Sequence, residues 1–166
     1  MGWNSTVAVA AHEVTDAELA ALGIVPTGET VPFDAGLDST WLETVAVTRF
    51  DGFTVIAETD YNFVTCLDEP ASLTGTWFIG TAADVSDIHL YGVVREGETV
   101  RALRHMVDEV VELGEPVGDE SAFELGDERP DWSELMWLPL HASGFAAAHP
   151  GVDLFQVRAD AYRVEL

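Results

Sequence analysis

Histidine and carboxylate side chains are the groups in this chain that could do chemistry, and one of their pairings follows from a predicted structure. His89 and His105 lie in two runs typical of β-strands, residues 88–95 and 99–105, which flank a Glu-Gly-Glu turn. A three-residue loop places His89 directly opposite His105, close enough to share a metal ion or a ligand. A two-residue loop instead pairs His89 with Arg104. The sequence leaves this register open.

This histidine pair does not have the sequence pattern of a zinc site. Such sites usually draw their ligands from histidines and cysteines about three to five residues apart, and neither His89 nor His105 has such a neighbour. The sequence therefore predicts no metal and no cofactor, and packed or solvent-facing histidines are the expected alternative. If an ion were bound, His89 and His105 would be its candidate ligands.

Ser143 lies between His141 and His149, which brings together residue types found in hydrolases. The Gly-x-Ser-x-Gly turn that exposes a hydrolase serine does not occur in the chain. The chain also has no lysine, which excludes a Schiff-base mechanism, and no Gly-Lys loop that would bind phosphate. No catalytic residue is predicted, and the sequence favours a non-enzymatic protein.

Acidic residues dominate the charge of the chain. Its 166 residues include 30 Asp and Glu and seven basic residues, all of them arginine, for a formal net charge of −23. Nucleic acids and anionic membranes attract Lys and Arg, so the composition argues against both as partners. A basic protein or a cation is compatible with it. The acidity is also explained without any partner, by solubility, by a GC-rich genome that uses Arg in place of Lys, or by a salty cytoplasm.

The carboxylates are concentrated in residues 108–128, where nine acidic side chains occur without an arginine. A tryptophan-containing segment, residues 132–138, follows shortly after. Tryptophan is favoured at recognition surfaces, so the two segments together are the predicted surface for a basic partner. A place in the core, or a contact across the two-fold axis of a homo-oligomer, is the alternative for the tryptophans. The predicted partner-binding residues are Asp119, Glu120, Glu124, Asp127, Glu128, Trp132 and Trp137.

Two β-hairpins are the clearest structural prediction. Residues 43–50 and 53–58 are rich in β-formers and flank Asp51-Gly52, a pair typical of a type I′ turn with positive φ at both residues. The second hairpin carries the two histidines, and residues 110–113 extend it as a third strand.

Two short helices are predicted beside these strands. Thr15 and Glu18 form a capping box at the start of the first helix. Asp131 caps the second helix, over residues 132–138, and Pro139 ends it.

These elements define an α+β protein with an antiparallel or mixed β-sheet built largely of hairpins and two short helices packed on it. A single globular domain is predicted over residues 1–166, since no repeat or linker divides the chain. The other segments are predicted as strands over residues 5–11 and 154–164, as an irregular connection over residues 25–38 and as a loop over residues 142–151. Residues 67–87 mix turn residues with the apolar cluster Trp77-Phe78-Ile79.

Three stretches carry a resemblance. Met1-Gly2 precedes the first predicted strand, the second hairpin has the sequence HLYGVVREGETVR from His89 onward and is followed by ELGEP, and WLPLH precedes the terminal strand. In these stretches the chain resembles a family of uncharacterised proteins common in actinobacteria. That family has no assigned activity or catalytic residues. The resemblance therefore implies a conserved cytoplasmic protein and assigns a role to no residue.

Three classes of function are open from the sequence. The favoured one is an acidic protein-interaction or regulatory module, for example an antagonist of a basic partner. The alternatives are a small-molecule-binding protein or an enzyme without a familiar motif, and a homo-oligomeric structural domain. The N-terminus lacks a cationic signal region, so a cytoplasmic location is expected. Cys66, the single cysteine, is expected to be a buried apolar side chain.

Overall fold

The structure of the protein, a computed structural model, describes residues 3–38, 43–123 and 130–165. Their nine strands are β1 (Asn4–Ala10), β2 (Ile24–Pro32), β3 (Val45–Phe50), β4 (Phe53–Glu58), β5 (Thr76–Ala83), β6 (Ile88–Arg95), β7 (Glu98–Met106), β8 (Glu109–Leu113) and β9 (Arg158–Val164). Their four α-helices are α1 (Asp16–Ala21), α2 (Asn62–Asp68), α3 (Leu138–Ala142) and α4 (Phe145–Ala148). Short 3-10 helices cover Phe33–Leu37, Pro70–Ser72, Asp84–Ser86, Trp132–Met136 and Leu154–Gln156.

All nine strands form one antiparallel sheet in the order β2-β9-β3-β4-β1-β5-β6-β7-β8. The predicted α+β class and the antiparallel sheet are therefore confirmed. The sheet is larger than predicted, and the described residues hold four α-helices where two were predicted. None of these helices is long and apolar enough to cross a membrane.

Each face of the sheet carries its own apolar cluster. One cluster contains Val7 and Val9 of β1 and is covered by α3, α4 and the 3-10 helix Trp132–Met136. The other contains Ala8 and Ala10 of the same strand and is covered by α1 and α2. Central strands are therefore buried on both faces, which explains why their sequences are continuous apolar runs without polar alternation.

The hairpin of β3 and β4 forms as predicted, although its turn differs. Phe50 pairs with Phe53 across Asp51-Gly52. Gly52 has a positive φ of 77°, whereas Asp51 is not in the positive-φ region. The turn is therefore not the predicted type I′, which requires positive φ at both central residues.

The hairpin of β6 and β7 brings the histidines together by an unexpected route. Its turn has two residues, Glu96 and Gly97, with φ of 48° and 78°, and not the three-residue loop that the pairing was predicted to need. A bulge between Val93 and Val94 then shifts the register by one residue. As a result His89 lies directly opposite His105. The predicted opposition is confirmed, and the predicted loop is wrong.

Three segments without a predicted strand or helix contain regular structure. Residues 25–38 contribute most of edge strand β2, whose pairing with β9 is interrupted between Pro26 and Thr30. Residues 67–87 contain β5, a central strand between β1 and β6. Residues 142–151 contain α4.

The tryptophan-containing helix also differs from its prediction. Asp131 does accept a hydrogen bond from the Ser133 backbone N–H, at 3.1 Å, and so caps a helix. That helix is the 3-10 helix Trp132–Met136, and Pro139 lies in the first turn of α3 and does not end a helix. The first turn tolerates proline because its N–H has no partner within the helix.

Glu58 is a buried acid that links β4 to α2. Its carboxylate accepts hydrogen bonds from the Phe63 backbone N–H at 2.7 Å and from Asn62 Nδ2 at 2.8 Å. Burial raises its pKa from 4.5 to about 7. The folded protein therefore binds a proton at this site over a pH range in which the unfolded chain has already released it.

We expect the stability of Glu58→Gln to change less with pH than that of the wild type. The pKa of Glu58 is higher in the folded protein than in the unfolded chain. Its contribution to stability is therefore complete below pH 4.5 and is lost as the pH rises to about 7. The loss amounts to about 3 kcal/mol by linkage. Urea unfolding at pH 5 and pH 8 measures it, with exposed Glu29→Gln as the control. An equal change with pH in the wild type and in Glu58→Gln would contradict this role.

Candidate functional site

Strand β8 is an exposed edge of the sheet with an apolar character. It pairs with β7 on one side, and all five of its residues are exposed. Seven large apolar side chains are exposed in the described parts of the chain, and five of them lie within residues 106–113. We call these five the β8 surface: Met106, Val107, Val110, Val111 and Leu113.

A groove of about 370 Å³ runs along the sheet beside this edge. Val111 and Leu113 of β8 and Ala102 and Met106 of β7 line it, and Leu67 of α2 lines it at the side. Helix α2 covers the neighbouring part of this face but leaves the groove open. An apolar side chain entering it would contact mainly carbon atoms.

The opposite edge of the sheet has features that oppose pairing. Strand β2 contains Pro26 and Pro32, and its register is interrupted between Pro26 and Thr30. Proline and irregular register at an edge prevent the addition of another strand. Strand β8 has neither a proline nor a register shift. Of the two edges, β8 is therefore the one open to another strand.

Arg101 attaches the start of the acidic segment to the sheet. Its side chain is 3% exposed, and its guanidinium donates to Glu112 at 2.7 Å, to the Gly114 carbonyl at 2.7 Å and to Glu120 at 2.8 Å. The pKa of Arg101 is raised mainly by its hydrogen bonds to Glu120. Two carboxylates of the segment are therefore paired with one arginine of β7, although no arginine occurs in the segment itself.

The predicted partner-binding acids have different environments. Glu120 has a side chain that is 12% exposed and is occupied by Arg101, so its carboxylate is not free for a partner. Asp119 is exposed and accepts a hydrogen bond from the Ser121 backbone N–H at 2.9 Å. Its hydrogen bonds with Ser121 lower its pKa. Glu124, Asp127 and Glu128 lie outside the described residues.

The two predicted partner-binding tryptophans are half-buried and pack within the chain. The Trp132 ring stacks on His105, with ring centroids 4.3 Å apart and an interplanar angle of 3°. Trp137 makes an edge contact with Trp3 at 5.5 Å. Both pack against the same apolar cluster, in which Leu135 is fully buried. The ring faces are thus used mainly in contacts within the protein.

His89 and His105 are buried side by side next to a turn that carries two aspartates. Their Nδ1 atoms are 3.2 Å apart. His89 Nε2 lies 2.7 Å from Asp84, and the Asp87 carboxylate lies 3.9 Å from His89 Nδ1 and 3.8 Å from His105 Nδ1. Among the described residues, Asp87, His89 and His105 are a group that could hold a metal ion, with ligand atoms within 4.8 Å of one another.

Ser143, His149 and Cys66 make separate contacts in the described parts of the chain. Ser143 Oγ accepts a hydrogen bond from the Phe145 backbone N–H at 3.2 Å, and His149 Nε2 lies 3.2 Å from the Asp51 carbonyl. Within the described residues, no hydrogen bond joins Ser143 to either nearby histidine. Burial raises the pKa of the Cys66 thiol to about 11, so at neutral pH it is protonated and a poor nucleophile.

Comparison with known proteins gives no match for this chain among family models, curated proteins or solved structures. The resemblance to an actinobacterial family therefore stays a prediction.

Proposed function

We propose that this protein is an interaction module that binds an extended basic segment of a partner protein along β8. The observation that carries the proposal is the β8 surface, in which edge strand β8, the last residue of β7 and the turn between them expose five large apolar side chains. In this mode of recognition, the partner adds a strand to the sheet through main-chain hydrogen bonds. Alternate side chains of the added strand then contact the two faces of the sheet.

The side chains of β8 support a partner strand in which apolar and basic residues alternate. Glu109, Val111 and Leu113 point to the groove face, and Val110 and Glu112 point to the other face. Apolar partner residues would fill the groove, and basic residues on the other face would approach the half-exposed Glu112 and the exposed acids that follow β8. The net charge of −23 would attract such a segment over a distance and speed its association.

The proposal keeps the class of function favoured from the sequence and moves the first contact to the start of the predicted surface. The sequence placed that surface over residues 108–128 and 132–138, with its named binding residues between 119 and 137. Glu120 and the two tryptophans are occupied within the protein, which supports β8 as the first contact. The small-molecule-binding and oligomeric alternatives stay predictions.

A short alternating peptide tests this proposal. We expect a blocked peptide of about eight residues, in which Lys and Val alternate, to bind with an affinity that falls about fivefold between low and physiological salt. The same peptide with N-methyl groups on alternate backbone nitrogens keeps its charge but cannot pair with a strand. It should bind about tenfold more weakly. Isothermal titration calorimetry measures both affinities.

Matched variants locate the binding site. Val111→Thr keeps the shape and strand propensity of the residue but removes apolar surface from the groove, and should weaken the peptide about fivefold. Val85→Thr makes the same change at an exposed valine outside the β8 surface and should have no effect. Equal affinity for the methylated peptide would contradict strand addition. A dimer in light scattering that Val111→Thr dissociates would assign β8 to a second copy of the chain instead.

A further inference from the structure

The side chains around His89 and His105 hold both imidazole rings in place. Asp84 Oδ1 lies 2.7 Å from His89 Nε2, and an ionised carboxylate can only accept, so His89 Nε2 carries a proton. In the neutral ring, the Nδ1 atom of His89 then presents a lone pair toward His105. The other oxygen of Asp84 accepts a hydrogen bond from the Trp3 backbone N–H, which holds the carboxylate in place. His105 is held by its stacking on Trp132.

The distance between the two Nδ1 atoms suits a shared metal ion. Zinc binds imidazole nitrogen at about 2.0 to 2.1 Å, so two nitrogens on one tetrahedral ion are about 3.3 Å apart. The observed separation is 3.2 Å. A hydrogen bond between the two rings has the same length, and the experiment below separates the two arrangements.

Asp87 supplies a third ligand from a position fixed by the backbone. Its φ of 51° places it in the left-handed region, which aspartate tolerates better than most residues. The Asp87 N–H donates to the Asp84 carbonyl at 3.2 Å, and its carbonyl accepts from the Val107 N–H at 2.9 Å. The turn before β6 is thereby fastened to the end of β7, and the Asp87 carboxylate is within 3.9 Å of both imidazole Nδ1 atoms. A small rotation of the Asp87 side chain would bring its carboxylate close enough to bind an ion held by the two Nδ1 atoms.

We propose that Asp87, His89 and His105 bind one divalent zinc-like metal ion, with both histidines coordinating through Nδ1. Two imidazoles and one carboxylate form a ligand set that zinc commonly takes, and water completes a tetrahedron. The Asp84 carboxylate behind His89 is the usual outer partner of a metal-binding histidine. The two histidines are buried and Asp87 is exposed, so the cluster lies between the protein interior and the solvent. The site lies on the opposite face of the sheet from the groove, and it does not depend on the proposed function.

Zinc itself is the probe for this site. After treatment with a chelator and dialysis, the wild type should bind one zinc ion per chain tightly enough to compete with a chromophoric chelator. His105→Phe keeps an aromatic ring against Trp132 and should weaken zinc about 100-fold, and Asp87→Asn should weaken it about tenfold. His141→Phe changes an exposed histidine outside the cluster and is the matched control, with no expected effect.

Cobalt provides a second readout that does not depend on the variants. Co²⁺ in the wild type should give the strong visible absorption of a four-coordinate site with nitrogen ligands, and the weak spectrum of an all-oxygen site would contradict the proposal. Equal zinc affinity of the wild type, His105→Phe and Asp87→Asn would mean that surface carboxylates hold the ion. This result would also overturn the proposal. Asparagine is accepted in the left-handed region, so Asp87→Asn tests the site even if His105→Phe does not fold.

Discussion

Replacing Arg101 by Met should destabilise the protein by about 3 to 5 kcal/mol, because it removes one partner of a buried ion pair. Glu120 would lose its cation while remaining largely buried, and the Gly114 carbonyl and Glu112 would lose a donor. The methionine keeps most of the apolar stem that arginine buries. Urea unfolding followed by circular dichroism measures the loss.

Arg163→Met is the matched control for this prediction. Arg163 pairs with Glu165, but their side chains are 61% and 54% exposed. Exposed pairs contribute about 0 to 1 kcal/mol, so little change is expected. Both variants add one unit to the negative charge, which removes net charge as an explanation for any difference. Equal, small losses in the two variants would mean that Arg101 does not anchor the acidic segment.

Gly80→Ala should lower the free energy of unfolding by a similar amount, because the added methyl group is too large for its site. An added Cβ at Gly80 would lie 2.2 Å from the Leu135 carbonyl oxygen and 3.0 Å from the Met136 Cα. These are backbone atoms of the 3-10 helix Trp132–Met136, so the helix itself must move away from β5. Overpacking of this kind costs about 1 to 3 kcal/mol, and more where the backbone has to shift. Urea unfolding measures the loss.

The consequence of Gly80→Ala should extend to the histidine cluster. The displaced 3-10 helix carries Trp132, whose ring lies on His105, so zinc affinity should fall together with stability. Gly151→Ala is the control, because an added Cβ there meets no atom within 4 Å and its φ is not positive. Unchanged stability in Gly80→Ala would show that the helix is not packed as closely as the structure describes.

Local sequence signals predicted local structure well. Thr15 and Glu18 form the predicted capping box, with both hydrogen bonds present at 3.2 and 2.8 Å. The hairpin at Asp51-Gly52 also forms. In both cases the determinants lie within a few residues of one another, so the sequence contains them in full.

Structure that depends on distant partners was predicted less well. Strand β5 lies between β1 and β6, and burial on both faces removes the polar alternation that marks a strand. Strand β2 contains Pro26 and Pro32, which suggested an irregular segment, and proline is accepted there because β2 is an edge strand. Neither environment can be read from the segment alone.

The candidate sites also depend on residues that are distant in the sequence. Arg101 and Glu120 are 19 residues apart, and only the fold shows that they form a pair. The opposition of His89 and His105 depends on a two-residue turn combined with a bulge at Val93 and Val94, two deviations that offset each other. Asp87 joins the histidines through a left-handed turn in a stretch for which no regular element was predicted. The apolar residues of β8 were a readable signal, because Val111 and Leu113 lie on one face of the predicted third strand.

Hydrogen exchange at β8 tests the central claim most directly. Amide exchange would be followed residue by residue, with and without the alternating Lys-Val peptide. Strand addition predicts slower exchange at the outward-facing amides of Glu109–Leu113, and no such change with the N-methylated peptide. Protection that appears instead at residues 119–123 or 130–137, or that is the same with both peptides, would contradict a binding site at β8.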